Sequence, residues 1–73
     1  MSAREIFELL GYTFGICKNG NYLYDKPRQL ENRHQVEFFI KSKTYHIVGT
    51  QRFSINMELN KAIQKQIEEL GWN

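Results

Sequence analysis

Apolar residues follow two different periods along this chain, and the change of period marks its elements. Near the start, Ile6, Phe7, Leu9 and Leu10 fall at helical spacing. Ser2 and Glu5 precede them as a capping box, in which each side chain satisfies a free backbone N–H at the other's position. Gly11 follows where a helix end favours a left-handed residue, and Tyr12 can fold back as its apolar contact. Near the end, Leu59, Ile63, Ile67 and Leu70 step by four, four and three, with Ala62 beside them, which predicts a second helix with one buried stripe. Asn56 is its N-cap, and Leu70-Gly71-Trp72 repeats the stop chemistry of Leu10-Gly11-Tyr12.

Between these helices the period falls to two. Asn19-Gly20 separates two short strand-like runs, the signature of a β-hairpin. With those two as central turn residues, Lys18 pairs with Asn21, Cys17 with Tyr22 and Ile16 with Leu23. Phe14, Ile16 and Leu23 then share one face, and Thr13, Cys17, Tyr22 and Tyr24 the other. Pro27 ends this hairpin because it cannot donate to a ladder. The polar stretch Lys26–Arg33 is the longest loop and a candidate functional loop. Val36, Phe38 and Ile40 then alternate with polar residues, and after Ser42-Lys43 the chain resumes with Thr44–Val48. A two-residue turn there sets Ile40 against Tyr45 and Phe38 against Ile47, and puts Phe39 beside His46 on the opposite face. Gln51–Ile55 is read as a short extended piece.

The resulting expectation is one α+β domain spanning residues 1–73. It has an antiparallel sheet of three to four strands, built from two hairpins, with an N-terminal and a C-terminal helix on one face, in the order αββββα.

Composition narrows the class. The 73 residues are 41% apolar, so a mostly disordered chain is excluded, and no apolar run reaches the length of a membrane span. Arg4, Glu5 and Glu8 interrupt any signal-peptide core. The single cysteine, Cys17, cannot form an internal disulfide, which points to a reducing cytoplasm. So short a domain buries only about 60% of its unfolded surface, so the ten aromatic side chains matter to its stability.

Catalytic and metal constellations are not expected. Asp25 is the only aspartate, and nothing sets it beside His34 or His46 to orient a base. The two histidines point to opposite faces and cannot share an ion, and Cys17 lacks a positioned base. No Walker-type phosphate loop is present. The expectation is a non-enzymatic protein without cofactor or metal.

What remains is a surface. The net charge is +2, but residues 26–52 carry six cations against two carboxylates, a local net of +4. The candidate binding residues are Tyr22, Tyr24, Phe39 and His46 on the sheet face turned away from the helices, with Lys26, Arg28, Arg33, Lys41 and Lys43 around it. Aromatics with cations on an open sheet can stack bases and track phosphates. The same residue types suit a protein interface, and tyrosines also simply favour strands and pair across them.

The order helix–strands–helix resembles the double-stranded-RNA-binding domain. That family's lysine cluster at the start of the last helix is absent here, where Asn56-Met57-Glu58-Leu59 stands and Lys61 and Lys65 come later. The start, Ala3-Arg4-Glu5-Ile6-Phe7-Glu8-Leu9-Leu10-Gly11-Tyr12, and the close, Ile67-Glu68-Glu69-Leu70-Gly71-Trp72, resemble small uncharacterised proteins of Gram-positive phages and prophages. That resemblance implies a small accessory protein of a mobile element that binds host or phage machinery, counter-defence included; separately, the expected state is a monomer or homodimer. The leading expectation is a protein-binding module; the alternative is a nucleic-acid-binding domain.

Overall fold

The computed structural model describes residues 1–26, 34–49 and 55–72. Helix α1 covers Ala3–Leu9. Strands β1 (Thr13–Ile16), β2 (Tyr22–Lys26), β3 (His34–Phe39) and β4 (Thr44–Gly49) follow, and helix α2 covers Met57–Leu70. The strands form one antiparallel sheet in the order β1-β2-β3-β4. The architecture is therefore αββββα, as the periodicity predicts. Residues 27–33 and 50–54, and with them Arg28, Arg33 and most of the expected Gln51–Ile55 extension, lie outside the described residues.

Both helices are capped as their sequences require. The Ser2 hydroxyl accepts from the Glu5 N–H at 3.1 Å, and the Glu5 carboxylate accepts from the Ser2 N–H at 2.8 Å. These bonds hold the exposed Glu5 carboxyl below its ordinary value. Asn56 Oδ1 accepts from the Leu59 N–H at 2.8 Å. At both helix ends the residue after the glycine returns to the helix: the Tyr12 N–H donates to the Phe7 carbonyl and the Trp72 N–H to the Ile67 carbonyl. Gly11 and Gly71 sit at φ +95° and +72°, a left-handed region that resists side chains.

The first hairpin departs from the expected register by one residue. Gly20 donates to the Cys17 carbonyl at 2.9 Å and Cys17 to the Asn21 carbonyl at 2.8 Å. Lys18-Asn19-Gly20 is thus a three-residue loop with Gly20 at φ +90°, rather than a two-residue turn. A one-residue slip reverses sides. Ile16 pairs with Tyr22 and Phe14 with Tyr24, so these four share the helix-covered face, and Leu23 moves to the open one. The second hairpin departs by two residues, through a four-residue turn in which the Lys43 N–H donates to the Phe39 carbonyl at 2.9 Å. An even shift keeps every side chain on its expected face. Phe38 pairs with Tyr45 and Val36 with Ile47, while Phe39 now pairs with Thr44 and His46 with Glu37, which leaves Phe39 and His46 as diagonal neighbours on the open face.

The core lies between the sheet and the two helices. Phe7 stacks on Tyr24 with ring centroids 3.8 Å apart and meets Tyr12 and Phe38 edge-on. From α2, Leu59, Ala62, Ile63 and Gln66 are buried at the helical spacing three, one and three. The Tyr24 hydroxyl donates to Gln66 Oε1 at 2.5 Å, which satisfies the one polar side chain this helix buries. The Ala3 N–H donates to Glu69 Oε2 at 2.9 Å, tying the start of α1 to the end of α2. The two helices are therefore antiparallel neighbours on one face of the sheet.

Candidate binding surfaces

The structure divides the expected site residues into three groups. Tyr22 and Tyr24 leave the open face because of the hairpin slip. Tyr24 is 1% exposed, and burial followed by the nearby Glu69 charge pushes its phenol up to about 12. Tyr22 lies half-buried with its ring 5.3 Å from that of Phe14. Lys26 also turns to the helix side, where its ammonium lies 5.5 Å from the Tyr12 ring centroid. These corrections remove both tyrosines from the aromatic platform expected on the open face.

Phe39 and His46 remain together there, with ring centroids 4.7 Å apart. Leu23 and Val48 share that face, Val48 being 53% exposed. His34 lies on the other side, so the histidines diverge. Among the described residues no group of three His, Cys, Asp or Glu side chains could hold a metal ion.

Lys41 and Lys43 belong to the β3–β4 turn, which lies against the β1–β2 turn. Asn21 joins them: its Oδ1 accepts from the Ile40 N–H at 3.2 Å, and its Nδ2 donates to Glu37 Oε2 at 3.0 Å. Between the turns is a cleft of about 200 Å³, lined by Asn19, Asn21, Phe39, Lys41 and Ser42.

A second concavity, which the sequence reading missed, runs between the helices. It measures about 430 Å³ and is lined by Ile6, Leu9 and Leu10 of the α1 region and by Glu58 and Lys61 of α2. Leu9 is 74% exposed and Met57, next to Glu58, is 72% exposed. The signal was available. Residues two apart on a helix lie about 200° apart, so Leu9 cannot share the face of Phe7. Four apolar residues in positions 6–10 cover more than one side of a helix this short.

Among the described residues no helix is long and apolar enough to cross a membrane. Comparison with known protein families, with curated proteins and with solved structures finds no match to this chain.

Proposed function

We propose that this chain is a small, non-catalytic protein-binding module that presents the groove between α1 and α2 to its partner. The observation that carries this reading is the exposure of Leu9 in an apolar groove edged by Glu58 and Lys61. An apolar centre with a charged rim is the usual composition of a protein interface. Full burial of a leucine contributes roughly 1.5–3 kcal/mol, and here that contribution is left for a partner to supply. A fitting partner inserts an apolar side chain between the helices and offers charges complementary to Glu58 and Lys61. The accessory role implied by the chain's two ends agrees with such a module: it would act in the cytoplasm, as a monomer or homodimer, on a host or phage protein.

The test is affinity capture from the native cell with partners identified by mass, using the intact chain and a Leu9→Glu variant. Leu9 supports no buried contact, so the variant should keep the parent's melting temperature. Its affinity for the captured partner should fall about thirtyfold, the effect of losing a hot-spot contact of about 2 kcal/mol. Equal binding by the variant refutes the groove, and capture of no partner refutes the module.

A further inference from the structure

We propose that the end of the sheet formed by the two hairpin turns is a binding site for single-stranded nucleic acid. Lys18, Lys41 and Lys43 would meet phosphates, and the Phe39–His46 pair would stack on a base. The site shares no residue with the α1–α2 groove and stands or falls apart from it.

The argument begins with charge. Lys18 lies in one turn, Lys41 and Lys43 in the other, and all three are exposed. Neither turn contains a carboxylate. The nearest carboxylate in sequence, Glu37, has one oxygen engaged by Asn21 Nδ2. That bond to a neutral amide does not neutralise the carboxylate, which faces His46 across the strands, so the three lysines outnumber one local carboxylate and this end keeps a net positive charge. It is also held in place, because Asn21 is buried and bonded to both Ile40 and Glu37, which locks one turn against the other. The Ser42 and Thr44 hydroxyls lie 2.7 Å apart and brace the second turn.

The second observation is the cleft itself. Its lining combines amide side chains, a hydroxyl, a lysine and the Phe39 ring. These are hydrogen-bonding groups and a cation suited to a phosphate, set beside a flat apolar surface. His46 extends that surface across the open face, at 4.7 Å from Phe39. An acidic peptide would satisfy the lysines but would leave the rings without a planar partner. A nucleotide strand uses both, since every base has a face to stack and every linkage carries a charge.

The experiment is fluorescence anisotropy of a labelled oligothymidylate about 15 nucleotides long, within the range of known single-strand sites. Three phosphate contacts on a single strand should weaken binding about twentyfold between roughly 50 and 200 mM salt. The combined Lys18→Gln, Lys41→Gln, Lys43→Asn variant should lose that salt dependence together with the binding. Phe39→Leu should lower affinity about tenfold and leave the salt slope unchanged. All variants are checked by thermal melts: the exposed lysine positions should melt as the parent does, and the half-buried Phe39 is changed to leucine so that it stays apolar and folded. The proposal is overturned by an absence of binding at the lower salt, by a salt slope the lysine changes do not alter, or by Phe39→Leu binding as tightly as the parent. Poly-glutamate competing as well as unlabelled oligonucleotide would also overturn it, by assigning the lysines to an acidic protein.

Discussion

Replacing Tyr24 by Phe removes one oxygen atom and tests how the core holds the buried amide of Gln66. In the structure that hydroxyl donates to Gln66 Oε1 at 2.5 Å, with Tyr24 and Gln66 only 1% and 4% exposed. The phenylalanine ring can still stack on Phe7, so packing is conserved and the change isolates the hydrogen bond. A neutral hydrogen bond contributes about 1 kcal/mol net, and a buried acceptor left without a donor costs about 1–3 kcal/mol. The expected loss is thus about 2 kcal/mol, and the melting temperature should drop by roughly 10 °C in a domain of this size. The assay is urea and thermal unfolding followed by Trp72, the only tryptophan, which packs 6.1 Å from Phe38. Adding Gln66→Met removes the orphaned acceptor and keeps the side-chain length. The double variant should then recover most of the lost stability, giving a coupling of about 1–2 kcal/mol between the positions. Equal stability of the parent and Tyr24→Phe, or a double variant with purely additive loss, would refute the account of this bond.

The Tyr24 phenol also makes stability depend on pH. Its folded value, raised to about 12, lies above the ordinary 10.0, so the stabilisation is complete below pH 10 and is lost as pH climbs toward 12. The parent should lose more stability across that window than Tyr24→Phe, and parallel alkaline curves would contradict this. Phe7→Ala deletes a fully buried ring that touches three other aromatics and should cost about 3–5 kcal/mol, close to the whole stability of a small domain. Near-ultraviolet circular dichroism should show it unfolded or nearly so; a retained sharp melt near that of the parent would count against the core described. Gly71→Ala places a side chain at φ +72° with nothing within 4 Å of its Cβ, so backbone strain acts alone. A loss of about 1 kcal/mol is expected in urea unfolding, and no change would mean that α2 ends differently.

The helix ends were legible because capping is local chemistry. Ser2 with Glu5, Asn56 with Leu59, and the Leu-Gly-aromatic stops each act within six residues, and each forms the bonds their spacing implies. The face of each strand in the second hairpin was also legible, because a shift of two residues does not change sides. The first hairpin was not. Asn19-Gly20 serves a two-residue turn and also a three-residue loop with Gly20 left-handed, and the two differ by one position. What separates them is the fit of Tyr24 beneath Phe7, a contact between residues 17 positions apart that no local pattern encodes. The candidate site inherited that ambiguity. Phe39 and His46 kept their place, Tyr22 and Tyr24 changed sides, and Leu9 was assigned to a stripe it does not share.

Every strand of this sheet pairs with its neighbour in sequence, whereas the Ala3–Glu69 bond joins positions 66 apart. Closing the short hairpin loops loses little chain entropy; bringing the first helix to the last loses the most. The meander can therefore zip up early, and the two helices dock as the late event. Until they do, Tyr24, Val36 and Phe38 face water, and a newly made chain at high concentration is most prone to aggregate in that interval.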